Sequence, residues 1–375
     1  MPENILVTGA AGFIGSHIAN ALIKLGHHVI GYDSLDPQVH PTGEIPSHLS
    51  SQVEFIRGDI RDRDTLTSCV ARVDVVSHQA AVVGVGQSMY QIEHYVDINT
   101  KGTALLLEVL ASSKHPVRKL VIPGSMSAYG EGSYSCPRCG PVSPPLRSED
   151  QLRQGEWELT CERCHSILDP LPTPEDKPFQ AVSVYAITKQ DQEQLSLSVG
   201  RAYSIPVVVL RYFNVFGPYQ SLDNPYTGVA AIFMSRLKNG HRPVVFEDGR
   251  QTRDFISVHD IANANIAAMF SDRADYQALN VGTGRATSVL QLAEMLGKLL
   301  GKDLRPETVA KARKGDVRHC SANIGRITQA LGWTPHVTLE RGMEELIAWS
   351  EAVTAHDHID SATAELQRRG LLIGS

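Results

Sequence analysis

The stretch Asn4-Ile-Leu-Val-Thr-Gly9-Ala-Ala-Gly12-Phe-Ile-Gly15 carries a short apolar run into three glycines spaced three apart. Between a strand and a helix, such a turn lets a pyrophosphate approach backbone N–H groups at the helix N-terminus, where the dipole favours negative charge. A glycine trio also serves a merely tight junction, so its surroundings decide. Asp33 ends the next apolar run, 24 residues after Gly9, where a carboxylate accepts hydrogen bonds from an adenosine ribose. The same carboxylate repels a 2'-phosphate, and no Arg or Lys lies between Gly31 and Ser51 to reverse that preference. The turn therefore predicts NAD rather than NADP, bound by Gly9, Gly12, Phe13, Ile14, Gly15 and Asp33. Asp59 and Ile60, after the third run, are expected beside the adenine, although Asp59 equally suits a helix N-cap.

Outward from this turn, apolar runs at Asn4 to Thr8, Val29 to Asp33, Val53 to Ile56, Val73 to Ser77 and Lys119 to Ile122 alternate with helical patterns such as Phe13 to Leu25 and Thr100 to Ser112. Right-handed crossovers make of this β-α-β punctuation a Rossmann-type, doubly wound parallel sheet. The rhythm breaks over 130–180, rich in Pro, Gly, Cys and charge, then resumes with a helix at Ser183 to Tyr203, a strand at Val207 to Arg211 and a helix at Gly228 to Asn239. We expect an α/β chain with an NAD-binding domain from 1–133 and 167–212, to which part of 241–275 returns. An inserted ribbon at 134–166, a smaller C-terminal substrate lobe from 213–240 and 276–350, and a tail at 351–375 complete it.

The 375 residues are 42% hydrophobic and carry a net charge of −6, which leaves no basic footprint for nucleic acid. No apolar run approaches the roughly 18 residues of a membrane span, and no basic region with a cleavable apolar segment opens the chain. A cytoplasmic protein that engages neither nucleic acid nor membrane is expected. In that reducing compartment six cysteines favour metal over disulfides.

Four of the six form two C-x-x-C knuckles, Cys136/Cys139 and Cys161/Cys164. Thiolates at i and i+3 converge, and two such turns supply the four sulfurs that tetrahedral zinc takes at about 2.3 Å. Four thiolates close the shell, so the zinc is read as structural, with His165 a neighbour. Arg138, Arg153 and Arg163 are offset by Glu149, Asp150, Glu156, Glu158 and Glu162, against nucleic-acid binding by the ribbon. Lying between Ser125 and Tyr185, the ribbon is expected to rim the ligand-binding edge of the sheet and to shape either the pocket or a subunit contact.

Tyr185 and Lys189 stand four apart on one helical face. A phenol with a pKa of about 10 is a poor base near neutrality, but a neighbouring cation favours its phenolate. Tyr185 is thus a candidate proton acceptor, with Ser125 as the hydroxyl that bonds the substrate oxygen and relays its proton.

Gly9-x-x-Gly12-x-x-Gly15, His78-Gln-Ala-Ala81, Asn99-Thr-Lys-Gly-Thr103, Ser125-Met-Ser-Ala-Tyr-Gly130, Tyr185-x-x-x-Lys189 and Arg211-Tyr-Phe-Asn-Val-Phe-Gly-Pro218 together resemble the extended short-chain dehydrogenase/reductase family of nucleotide-sugar epimerases and dehydratases. The resemblance implies that Ala80 and Ala81 line the cofactor site and that Lys189 also holds the nicotinamide ribose. It implies sugar or diphosphate contacts for Ser127 and Asn214, diphosphate contacts for Arg253 and Arg313, a ribose contact for Asp316 and a nucleobase contact for Phe246. Helices near Thr100 and Ser183 resemble the family's homodimer bundle. Asn99 is read as helix support.

Dehydratases of the family carry Thr-Asp-Glu where this chain has Ser125-Met126-Ser127, so dehydration is disfavoured and a C4 oxidation reversed by the same tightly bound NAD remains. Gln220 to Phe233 and the double knuckle resemble dTDP-L-rhamnose 4-epimerases, which yield dTDP-6-deoxy-L-talose. Gly228 stands where UDP-galactose 4-epimerases usually carry Asn. A UDP-hexose or UDP-hexuronate 4-epimerase, a nucleotide-4-ketosugar reductase and an NAD-sensing interaction protein remain as alternatives.

Overall fold

Seven short apolar runs pair into one parallel sheet: β1 (Asn4–Thr8), β2 (His28–Asp33), β3 (Glu54–Arg57), β4 (Val75–His78), β5 (Lys119–Ser125), β6 (Val207–Tyr212) and β7 (Gln277–Val281). Their order is β7-β6-β5-β4-β1-β2-β3 in the computed structural model, which describes residues 1–112 and 114–374. The inner strands β4, β5 and β6 are buried along their whole length because helices cover both faces, which is why they read as unbroken apolar runs.

One face packs on α1 (Phe13–Lys24) and on the helix Val258–Met269, around Ile5, Val7, Ile18, Leu22 and Ile261. The other packs on Arg63–Val70, Gly102–Ser112 and Val184–Ala202, around Leu6, Val76, Leu106, Leu110 and Val209. A smaller lobe gathers the helices Val229–Lys238, Val289–Leu299 and Leu339–Glu351 about Phe216, Phe233, Leu292 and Met343. No helix among the described residues is long and apolar enough to cross a membrane.

The structure differs from the sequence reading at four places. Residues 277–281, expected in the lobe, form the seventh sheet strand, because Leu279 and Val281 bury against β6 in parallel register. The helix expected from Thr100 begins earlier as a π-helical turn over Val96–Lys101, where the buried Asn99 side chain donates to the Val82 carbonyl and receives its N–H. The ribbon extends beyond 166: Ser133–Cys136 lies between Gly140–Val142 and Asp169–Leu171 in a three-stranded antiparallel sheet. Finally, the tail contains a helix, Ile359–Arg368, and a strand, Leu372–Ile373, that pairs with Ala312–Arg313.

Candidate active site

The strand order reverses between β1 and β4, and in such sheets ligands bind at the carboxyl ends beside that point. Gly9, Ala80 and Ser125 all lie there. Gly9 has φ +67°, and a Cβ on it would sit 2.8 Å from the Ala80 nitrogen; one on Gly15 would sit 2.0 Å from the Gly9 carbonyl oxygen. Neither position accepts a side chain. Gly12 caps α1 without a side-chain hydrogen bond, and the first turn, with Phe13 and Ile14, carries no acidic residue. The leading N–H groups are therefore left to an anionic ligand.

Asp33 accepts the Ala11 N–H and the Leu35 N–H, each at 2.9 Å, which fixes its carboxylate beside the turn. This donor set fits the diphosphate and ribose of a dinucleotide. Ala80 donates its N–H to Thr8 Oγ1 at 3.1 Å, and Ala81 follows it, half-buried. Asp59 does not cap a helix; Asp62 caps Arg63–Val70 instead. The Asp59 carboxyl is held below its ordinary range by its hydrogen bond from Arg61, 2.6 Å away at the surface. Ile60 is buried under Gly102.

Strand β5 ends on Ser125, whose hydroxyl lies 2.7 Å from that of Ser127 and accepts the Ser127 N–H. The helix Val184–Ala202 starts after its cap Ser183, so Tyr185 and Lys189 occupy its first two turns. The Tyr185 N–H donates to Ser88 Oγ at 3.0 Å, and Tyr95 stands edge-on to its ring at 6.5 Å. Burial pushes the Tyr185 phenol up, while the neighbouring Ser125 side chain pulls it down.

The sequence reading has Lys189 acting on that phenol directly. In the structure Lys189 Nζ donates to Gln192 Oε1 at 2.7 Å, because a lysine only 3% exposed requires an acceptor. Burial lowers Lys189 to about 7. Gln192 Nε2 then donates to Thr103 Oγ1 at 2.6 Å, which lies 2.9 Å from His78 Nε2, and His78 Nδ1 lies 2.8 Å from Thr8 Oγ1. Burial, then the lysine's charge, lowers His78 to about 3, so it is neutral and passes one consistent direction of donation along the chain. Sequence reasoning missed this relay, although a histidine closing the apolar run Val75-Val-Ser-His78 was its visible sign.

The expected substrate residues gather on the lobe side. Asn214 Oδ1 is buried without a partner. The Arg313 guanidinium lies 4.7 Å from the centre of the Phe246 ring, and both Arg313 and Arg253 reach Asp316, at 3.4 and 2.7 Å. Arg253 also donates to the carbonyls of Thr252 and Val317. Burial would raise the Asp316 carboxyl, but Arg313, Arg253 and Arg147 outweigh it and hold Asp316 below its ordinary range. The sulfurs of Cys136, Cys139, Cys161 and Cys164 all lie within 4.8 Å of one another, whereas His165 is exposed. Cys320 is buried against Thr173.

The profile of the NAD dependent epimerase/dehydratase family matches residues 5–148 and 166–282. The chain belongs to this family, and with it to the NAD-using enzymes whose glycine turn and Tyr-Lys helix it carries. It is 32% identical to a dTDP-L-rhamnose 4-epimerase of Burkholderia thailandensis over 92% of this chain and 94% of that one. Among solved structures it resembles the UDP-glucose 4-epimerase of Thermotoga maritima with UDP-glucose, at TM-score 0.77 and 30% identity over 93% and 98% of the two chains. It likewise resembles a UDP-glucuronic acid 4-epimerase variant of Bacillus cereus holding a fluorinated UDP-sugar and NAD, at TM-score 0.76 and 29% identity over 94% and 100%.

The lysine has a measurable consequence. Its folded value near 7 lies below the roughly 10.4 of an unfolded lysine, so the unfolded chain takes up a proton that the fold refuses, and the penalty grows as pH falls from about 10 to 7. Lys189→Met should therefore gain stability relative to the parent over that descent in cofactor-free protein. Thermal melts across the range test this, and a constant difference contradicts it.

Proposed function

We propose that this chain is an NAD-dependent 4-epimerase of a nucleoside-diphosphate sugar and, more finely, that it interconverts dTDP-L-rhamnose and dTDP-6-deoxy-L-talose. The observation that carries the reading is the placement of Ser125 at the carboxyl end of β5 with Tyr185 and, one helical turn on, the buried Lys189 in the first two turns of the helix Val184–Ala202. Bound NAD supplies the hydride acceptor and donor. Gly9, Gly12 and Gly15 would hold its diphosphate, Asp33 its adenosine ribose and Lys189 its nicotinamide ribose.

Tyr185 takes the proton of the C4 hydroxyl and later returns it, while Ser125 bonds the same oxygen and passes the proton between sugar and phenol. Ser125-Met126-Ser127 offers no carboxylate to eliminate water. Asn214, Arg253 and Arg313 hold the sugar and diphosphate, Asp316 the ribose and Phe246 the base, where a guanidinium suits a diphosphate by geometry and charge.

The dTDP reading draws support from Gly228 as well as from the Burkholderia relative. A Cβ there would lie 2.7 Å from Gln220 Nε2, so the Gln220 amide fills the room that an Asn would need. The UDP-glucose and UDP-glucuronate readings draw support from the solved relatives. Incubation with dTDP-, UDP- and GDP-sugars, followed by NMR of the C4 configuration, should find dTDP-L-rhamnose turned over best with no added cofactor. A 4-ketosugar reductase would instead consume reduced cofactor stoichiometrically. Tyr185→Phe should lose about 10²- to 10⁴-fold in kcat while retaining NAD, and activity near the parent's refutes the mechanism.

Two further assignments belong to this reading. The four converged sulfurs fit structural zinc, so Cys139→Ser with Cys161→Ser should remove one equivalent of zinc by elemental analysis and lower the melting temperature; a parent without zinc contradicts it. The exposed apolar side chains Val85, Met89, Ile92, Val96 and Ile187 support a homodimer through the helices near Thr100 and Ser183. Light scattering should find the parent dimeric and Ile187→Glu monomeric.

A further inference from the structure

The ribbon makes its strongest attachments to the segments that carry the proposed nucleotide residues. Arg318 is fully buried. Its guanidinium donates to Glu247 Oε2 at 2.9 Å, to Asp248 at 2.7 and 2.9 Å, and on its remaining side to Glu158 of the ribbon, 3.1 Å from Nε. Arg147, also of the ribbon, clasps the Glu247 carboxylate with two bonds of 2.8 Å and reaches the Asp316 carbonyl at 3.2 Å. Glu131, just before the ribbon sheet, accepts the Arg318 backbone N–H at 2.8 Å and the Tyr134 hydroxyl at 2.9 Å.

Glu247 directly follows Phe246 and is held at φ +56°, a conformation that a glutamate adopts only when its surroundings impose it. Its N–H donates to the Lys311 carbonyl at 2.9 Å, two residues before Arg313. The clasp on Glu247 therefore fixes, from outside the pocket, the relative position of the Phe246 ring and the Arg313 guanidinium above it. Sequence distance hides this, since Glu131, Arg147, Glu158, Glu247 and Arg318 come from three separate stretches.

We propose that Arg147, Glu158 and Arg318 are positioning residues through which the ribbon sets the nucleotide-binding wall, so that the integrity of the ribbon governs affinity for the nucleoside-diphosphate half of the substrate. The inference rests on the reading that Phe246, Arg253, Arg313 and Asp316 hold that half. It assigns the insertion a task in substrate recognition separate from hydride and proton transfer.

The test is titration calorimetry of UDP and of dTDP into the NAD-loaded, full-length protein, beside steady-state kinetics. Glu158→Gln, half exposed and so tolerant of replacement, should weaken binding of the preferred nucleotide roughly 3- to 30-fold and raise KM alike, with kcat and NAD content unchanged. Tyr134→Phe, which deletes only the hydroxyl on Glu131, should act in the same direction more weakly. Glu156→Gln removes the same charge from an exposed ribbon position outside the cluster and should leave affinity intact.

Parent-like affinity in both Glu158→Gln and Tyr134→Phe overturns the coupling while leaving the site assignment in place. Loss of kcat or NAD in step with affinity also overturns it, by making the role generally structural. A parent that binds neither nucleotide overturns the underlying reading as well.

Discussion

A lysine amine sealed inside the sheet-helix interface is the constraint on which the site depends. Lys189 has one acceptor, Gln192, and that residue is committed in turn to Thr103, His78 and Thr8. An unpaired polar atom in this interior costs about 1–3 kcal/mol, more for a charged one, so each member holds the next in a single orientation. The chain ends at Thr8 and Ala80, beside Gly9, and so the helix bearing Tyr185 is tied to the turn that receives the dinucleotide. In the proposed cofactor complex Lys189 would hold the nicotinamide ribose, which would couple cofactor binding to this chain.

The other half of the site is built by a different device. Arg147 and Arg318 are buried, and each carboxylate around them is already matched to a guanidinium. Buried ion pairs of this kind contribute little net stability compared with apolar packing, yet removing one partner is costly, so they fix geometry more than they hold the fold together. Here the geometry fixed is that of Phe246, Arg313 and Asp316, supplied by an insertion that the family profile skips over 149–165.

The sheet was legible in the sequence because its inner strands are buried on both faces, and the glycine turn because the φ of Gly9 and the close contacts at Gly9 and Gly15 tolerate no side chain. The knuckles were legible because two C-x-x-C turns predict converging thiolates, and the four sulfurs lie within 4.8 Å of one another. Strand β7 was missed: it is five residues long and lies at the sheet edge, where Gln277 and Ala278 are only half-buried and Gln277 and Asn280 interrupt the apolar run. The π-helical turn at Val96–Lys101 was missed because its cause, Asn99 bonding to Val82, is a tertiary contact. Arg253, Arg313 and Asp316 were named from the sequence, but the ion pair between Arg253 and Asp316 and the clasp on Glu247 join residues distant in sequence and were not.

In the proposed cycle Tyr185 handles the proton while hydride would leave C4 and return to the same carbon through a bound NAD. This cycle is tested most directly by turning over a nucleotide sugar deuterated at C4 in ordinary water, with no cofactor added. The inverted product should keep the deuterium at C4, with no solvent hydrogen there. Replacement of the label by solvent hydrogen would contradict it.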